Sequence, residues 1–249
     1  MAEVGVVRSL LREDRPWSIY ALGDLDPRRA QYCDWYVRGR SVALLYREFG
    51  TPILFAAGEP DVIADLPDLD ACLLQVPERF LGAIQHRLEL EWTCPVLRMT
   101  LDLARFASCP GSSVHPLGAT DEHELRELYE DGRESGEEPD FFIATQLGDG
   151  TFCGVRDEGR LVAAGGTHLY SASESVGAIG NVYTRRSHRG RGHGAVVVSA
   201  VVEQLIERGT ETIGLNVRAA NTGAIRLYER LGFRVHTGFF EGRAVRRSR

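Results

Sequence analysis

Residues 178–208 read AIGNVYTRRSHRGRGHGAVVVSAVVEQLIER, an apolar run, a glycine turn and an amphipathic run in that order. Ala178 to Thr184 reads as a strand. The turn that follows is basic and dense in glycine: Arg185, Arg186, His188, Arg189, Gly190, Arg191, Gly192, His193, Gly194. From Ala195 to Arg208, apolar residues at Val198, Val201, Val202, Leu205 and Ile206 line one face of a helix, and Gly209 stops it. The first amides of a helix lack partners within it, and the helix dipole adds partial positive charge there. Glycines let the backbone come close to a phosphate. The stretch therefore predicts an anion site at a strand-to-helix junction, where several amides with Arg189 and Arg191 could hold a pyrophosphate.

Two common phosphate loops do not fit. A Walker loop needs Lys-Ser/Thr after its last glycine, and here Ala195 and Val196 follow Gly194. A dinucleotide fingerprint needs GxGxxG, whereas Gly190, Gly192 and Gly194 alternate. The segment Arg189-Gly190-Arg191-Gly192-His193-Gly194 instead resembles the Arg/Gln-x-x-Gly-x-Gly/Ala signature of the GNAT acyltransferase superfamily. A second signature follows: Leu215-Asn216-Val217, then Asn221, Ala224, Leu227, Tyr228, Gly232 and Phe233 at the family's spacing. The resemblance covers roughly residues 113–242 and is not visible by motif in the first 110.

The resemblance implies an α/β fold, a mixed central sheet flanked by helices, and acetyl-CoA as cosubstrate without a metal. It implies an N-acetyltransferase acting on a primary amine of a small molecule or peptide. By it, the backbone of Val182, Tyr183 and Thr184 runs along the pantetheine arm, and Arg189, Gly190, Arg191, Gly192, His193, Gly194 and Ala195 take the pyrophosphate. Asn216 and Asn221 are further cofactor contacts, Asn221 being equally readable as a helix cap. Tyr228 matches the usual general acid, with a buried aromatic on a helical stripe as the bland reading. Many relatives keep a glutamate on the strand before the glycine loop, but Ala178, Ile179, Gly180, Asn181 and Val182 include no acid. His168 on the preceding strand is the nearest candidate base, and a structural histidine is its alternative. Glu174, and Asn181 through a water, are weaker candidates.

Composition sets the outer bounds. The chain has 249 residues, is 43% hydrophobic and 26% charged, and carries a net charge of -6. These values fit a folded, soluble protein and speak against nucleic-acid or anionic-membrane partners. The basic tail Arg243, Arg246, Arg247 and Arg249 is a local exception, read as a solvated end. No apolar run approaches the ~18 residues of a membrane span, and the N-terminus lacks a secretion layout, so a cytoplasmic protein is expected. Five scattered cysteines without a CxxC pair argue for buried thiols over disulfides or zinc.

Along the chain, residues 1–27 read as a broken helix with an aromatic patch at Trp17 and Tyr20. Ser41–Tyr46 and Pro52–Ala56 form a hairpin, Cys72–Val76 a strand, the stretch after Pro77 a helix, and Pro95–Leu103 a strand. This order is similar to a shortened GNAT half without its glycine loop. Two tandem halves are expected: a degenerate one at 1–108 and a catalytic one at 109–249, joined by the turn-rich Ala107–Ser113. Such a pair could be a monomer or a homodimer. Thr120 is expected to cap a helix with Leu125, Leu128 and Tyr129 buried. The acidic segment 131–140 reads as a solvated loop or, through Glu137, Glu138 and Asp140, as an attractor of a cationic amine. Two other functions stay open: a coenzyme A-binding module without turnover, and a binder of another phosphorylated ligand or of nucleic acid.

Overall fold

The computed structural model describes residues 2–111, 113–139 and 142–247. The elements in chain order are α1 (Val4–Leu11), α2 (Ile19–Gly23), β1 (Cys33–Arg38), β2 (Ser41–Tyr46), β3 (Ile53–Ala57), β4 (Ala71–Val76), α3 (Leu81–Gln85) and β5 (Glu89–Leu101). There follow β6 (Val114–Pro116), α4 (Glu122–Glu130), α5 (Gln146–Asp149), β7 (Phe152–Asp157), β8 (Arg160–Ser171), β9 (Val176–Thr184), α6 (His193–Glu207), β10 (Thr212–Arg218), α7 (Thr222–Arg230) and β11 (Phe233–Val245). The chain forms two compact units. The first is Met1–Arg98 with Val217–Asn221 and Val235–Arg249; the second is Met99–Asn216 with Thr222–Arg234. The 108/109 boundary read from the linker lies inside the second unit. There the backbone N–H of Cys109 donates to Ser199 Oγ at 2.8 Å, and Ser108 bonds Glu203, tying the turn-rich segment to α6.

In the first unit the strand order is β1-β2-β3-β4-β11. The pairs β1/β2 and β2/β3 are antiparallel, β3/β4 is parallel, and β4/β11 is antiparallel. The crossover from β3 to β4 is a single 3-10 segment, Pro60–Asp65. All of β2 is buried, and Leu45, Leu54, Val62, Leu74, Phe80 and Ile84 share one core. Arg98 is fully enclosed between the rings of Trp17, Tyr20 and Phe239, with its NH1 donating to the Trp17 carbonyl at 2.8 Å. The basic tail is not a loose end through Arg247. Arg243 pairs with Glu91, Arg246 with Asp70 at 2.9 Å, and Arg247 donates to the Gln85 carbonyl.

In the second unit the order is β10-β9-β8-β7-β6. The pairs β6/β7, β7/β8 and β8/β9 are antiparallel, and β9/β10 is parallel. Glu158 (φ 49°) and Gly159 (φ 81°) make the two-residue β7–β8 turn, both left-handed as such hairpins require. The β9–β10 crossover carries α6, whose Val197, Val198, Val201, Val202 and Leu205 are buried. Ile206, expected on that face, is 39% exposed. Thr120 does not cap α4. It lies in a 3-10 turn, Ala119–Asp121, where the Asp121 carboxylate accepts from the Gly118 N–H at 2.9 Å. Leu125, Leu128 and Tyr129 are buried with Phe152, Leu161 and Tyr183. Among the described residues no helix is long and apolar enough to cross a membrane.

Candidate active site

The glycine turn is built by backbone conformation. Gly190 (φ 78°) and Gly192 (φ 86°) adopt left-handed dihedrals that L side chains rarely tolerate. At Gly194 a Cβ would stand 3.2 Å from the end of the Leu227 side chain of α7, so a larger residue there would make Leu227 give way. Hydrogen bonding decides what the turn can do. His188 N–H donates to the Arg185 carbonyl at 2.8 Å, and Ala195 N–H to the Gly192 carbonyl at 3.0 Å. Between them, among the described residues, the N–H groups of Gly190, Arg191, Gly192, His193 and Gly194 have no acceptor within the protein. A run of unpartnered donors at the N-terminus of a 15-residue helix is a cradle for an anion.

The strand leading into the turn is opened on one side. The β9–β10 ladder runs from Thr212↔Val176 to Leu215↔Ile179, and β9 then continues to Thr184 without a β10 partner. On its other side β9 stays paired with β8, through a register shift between Ala164↔Tyr183 and Gly166↔Gly180. Asn181 sits in that bulge at φ 53°. Its carbonyl accepts from the buried Tyr129 hydroxyl at 2.9 Å. Beyond Ile179 the β10-facing backbone edge of residues 180–184 can therefore receive an extended ligand as an added strand would. Tyr183 offers backbone only, because its ring is buried and its hydroxyl donates to Asp131 at 2.9 Å.

The side chains around the turn are placed less simply than the sequence implies. Arg189 is engaged by the acidic loop: NH1 and NH2 meet the Glu137 carboxylate at 3.0 and 3.1 Å, Nε donates to the Thr184 carbonyl, and the guanidinium covers the Tyr183 ring. The Arg189 fork holds the Glu137 carboxyl below its ordinary range. Glu138 pairs with Arg133 at 3.2 Å. These carboxylates, read as bait for a cationic amine, are thus taken by arginines, and Asp140 lies outside the described residues. Burial raises the Asp131 carboxyl, but the Arg186 N–H, the Tyr183 hydroxyl and the charges of Arg185 and Arg186 outweigh it and leave it lowered. Arg191 is more exposed and only loosely paired with Asp157, at 3.9 Å. The His193 ring lies 6.5 Å from that of His188.

Tyr228 is 8% exposed on α7, with its ring edge-on to Phe233 at 6.0 Å. Among the described residues its hydroxyl makes no hydrogen bond within the protein, and burial pushes the phenol up to about 12. Asn216 lies on β10 just past the end of the ladder with β9, and Asn221 directly precedes α7. Glu174 is buried in the turn before β9. From there to Asn181 is roughly 20 Å along an extended strand, so it is remote from the opened edge.

His168 is brought against the strand that lacks an acid. A Cβ on Gly180 would overlap the His168 imidazole, so the ring occupies the space of the missing side chain. His168 Nε2 is 3.2 Å from Asn181 Oδ1, Asn181 Nδ2 donates to Gln146 Oε1 at 2.9 Å, and Gln146 Oε1 also accepts from the Ile143 N–H at 3.2 Å. Gln146 was not foreseen from the sequence. It sits on the short α5, in a stretch with no apolar period to mark it. Among the described residues no cluster of His, Cys, Asp and Glu could hold a metal ion.

A glycine-turn anion cradle at a parallel β–α–β crossover, beside a splayed strand pair, defines a GNAT-fold acyltransferase architecture. Residues 121–233 match the model of the Acetyltransferase (GNAT) family. A mycothiol acetyltransferase of Corynebacterium aurimucosum is 36% identical over 66 residues, 25% of this chain and 22% of that protein. An uncharacterized N-acetyltransferase, YobR, of Bacillus subtilis is 31% identical over 83 residues, 33% of this chain and 32% of that protein. The matched stretches thus span under a third of either relative. Among solved structures, a GNAT-family putative acetyltransferase of Novosphingobium aromaticivorans superposes with TM-score 0.66 at 25% identity, over 94% of this chain and 100% of the other. A GCN5-related N-acetyltransferase of Kribbella flavida gives 0.64 at 17% identity, over 94% and 95%, a likeness of fold.

Proposed function

We propose that the second unit is an acetyl-CoA-dependent N-acetyltransferase acting on a primary amine of a small molecule or peptide. The observation that carries this reading is the run of unpartnered N–H donors from Gly190 to Gly194, set beside the opened edge of β9. The amides would hold the diphosphate, and Arg191 would add charge at the rim. The β9 backbone at Val182, Tyr183 and Thr184 would pair with the pantetheine amides, and one N–H at the bulge would donate to the acyl oxygen. Asn216 would flank the arm. Bound acetyl-CoA supplies an acetyl thioester, open to attack by an amine at its acyl carbon. Tyr228, a phenol protonated at neutral pH and pushed further up by burial, would give its proton to the departing sulfur.

The first unit fits a degenerate copy. It repeats the pairing series of two antiparallel pairs and one parallel pair, but its crossover has no glycine turn. Calorimetry with acetyl-CoA, followed by a thiol-release assay on spermidine, L-lysine and a peptide with a free α-amine, tests the proposal. Binding with thiol release supports it, and failure to bind acetyl-CoA refutes it. Tight binding without release on any amine would point to a coenzyme A-binding module, the reading that the acid-free strand 178–182 favours.

A further inference from the structure

Asn181 and Val182 together stand against Gly165 alone, because the register passes from Gly166↔Gly180 to Ala164↔Tyr183. A bulge leaves its extra residue out of the ladder, so strand pairing by itself does not set the plane of the peptide that joins these two residues. Alternation along β9 gives its direction. The Arg185 N–H donates to the Val162 carbonyl of β8 at 2.8 Å. N–H groups on an extended strand point to its two sides in turn, so that of Thr184 faces away from β8, that of Tyr183 towards it, and that of Val182 away again. The side away from β8 is the one that β10 leaves open beyond Ile179. Among the described residues no peptide bond is cis, and in a planar trans peptide the carbonyl points opposite to the N–H that follows it. The Asn181 carbonyl therefore points away from the open edge, and there it accepts from the Tyr129 hydroxyl of α4 at 2.9 Å. Tyr129 is itself held, buried with Leu161 and Ala164 of β8 and Tyr183 of β9. The Asn181 side chain has a separate tie, Nδ2 donating to Gln146 Oε1 at 2.9 Å, which supports the left-handed residue (φ 53°) but not the peptide beyond it.

We propose that Tyr129 is a positioning residue of the transfer: its hydroxyl holds the 181–182 peptide with the Val182 N–H turned to the opened edge of β9, where that N–H donates to the acyl oxygen. The proposal rests on the transferase reading given above. As the amine lone pair bonds to the acyl carbon, the carbonyl pair moves onto the oxygen, and the Val182 N–H stabilises the charge that collects there. The pair returns as the carbon–sulfur bond breaks, and the sulfur takes its proton from Tyr228. The amine gives its own proton to water, from which Tyr228 is restored, so the protein ends as it began.

Two measurements on the full chain test this. The first is infrared spectroscopy of acetyl-CoA labelled with carbon-13 at the acetyl carbonyl. Bound to the wild type, its carbonyl band should lie at lower frequency than in free acetyl-CoA, as for an oxygen that accepts a hydrogen bond. Tyr129→Phe, which keeps the ring and loses the hydroxyl, should undo most of that displacement. Tyr129→Met, which lacks the hydroxyl on a flexible side chain, should act alike. A wild-type band at the free frequency, or an equal displacement in the variants, overturns the proposal. The second is kinetic, with acetyl-CoA and whichever panel amine the wild type acetylates. Tyr129→Phe should lower kcat about tenfold, short of the roughly 10²–10³ that outright loss of an oxyanion donor costs. KM for acetyl-CoA should stay as it is, since the 190–194 amides are untouched. A hydroxyl that served stability alone would lower the melting temperature and leave kcat intact at lower temperature, and an intact kcat overturns the positioning role while leaving the transferase standing. Failure of the wild type to bind acetyl-CoA or to acetylate any amine removes the transferase reading and the positioning role together.

Discussion

The two units contain the same connection, a strand, a crossover and a parallel neighbour, and they treat its backbone donors in opposite ways. In the first unit β3 leads through Gly58 (φ 86°) to Pro60, and the donors at 59 and 60 are spent or missing. The Glu59 N–H is accepted by Ser41 Oγ at 2.8 Å, Pro60 has no N–H to offer, and a Cβ on Gly58 would strike Ser41 at 2.7 Å. In the second unit β9 leads through two left-handed glycines into α6, and the donors from Gly190 to Gly194 stay unpartnered. No Cβ at Gly190 or Gly192 would touch anything within 4 Å. The lesson is that a left-handed glycine serves two purposes. In one crossover it seals the backbone against its own core, and in the other it leaves the amides without an acceptor in the protein.

The comparison breaks most sharply at the two glycines themselves. Gly192→Val forces a β-branched residue into a left-handed conformation and should weaken acetyl-CoA binding about a hundredfold, near 3 kcal/mol. Gly58→Val should instead lower unfolding stability by about 1–3 kcal/mol and leave acetyl-CoA affinity unchanged. Calorimetry and urea titration on the same pair of variants separate the two roles. A loss of affinity in Gly58→Val would erase the distinction.

A smaller effect is expected at Tyr228. Tyr228→Phe should lower kcat by about tenfold or more with cofactor affinity preserved. The sign of its pH dependence follows from burial. A phenol raised to about 12 remains a proton donor across the neutral and mildly alkaline range. The kcat profile should therefore show no fall from loss of this acid below about pH 10. An unchanged kcat in the phenylalanine variant would remove Tyr228 from the mechanism.

The smallest effect concerns the arginine that the acidic loop holds. If the amides carry the diphosphate, Arg189 contributes little while Glu137 occupies it. Glu137→Gln should release the guanidinium and tighten acetyl-CoA binding by only about threefold, within the range of one partly exposed charge contact. The same change should alter thermal stability hardly at all. A large loss of affinity would mean that the Arg189–Glu137 pair shapes the turn.

The glycine turn and the helix after it were legible because each rests on local chemistry: glycine conformation and a helical apolar period. β1 was not read, since only Cys33 and Trp35 of its six residues are buried and the alternation is too short to stand out. β5 begins at Glu89, yet its first half is largely exposed, so the apolar pattern becomes visible only from Val96. At the site, the sequence supplied His168 and the missing acid as separate facts. Their meeting depends on register between β8 and β9, and on a bulge at Asn181 that no periodicity announces. Likewise the charges of 131–140 were plain in the sequence, but Asp131 and Glu137 find arginine partners some 50 residues away, and only the fold brings Glu137 to Arg189.

The most direct test of the account is a titration of the isotopically labelled full chain with coenzyme A, followed at the backbone amides. The account predicts that the amide signals of Gly190, Arg191, Gly192, His193 and Gly194 move together and saturate at one concentration, while those of Gly58 and Glu59 stay still. Amides of the 190–194 turn that remain unmoved at saturating coenzyme A would contradict it.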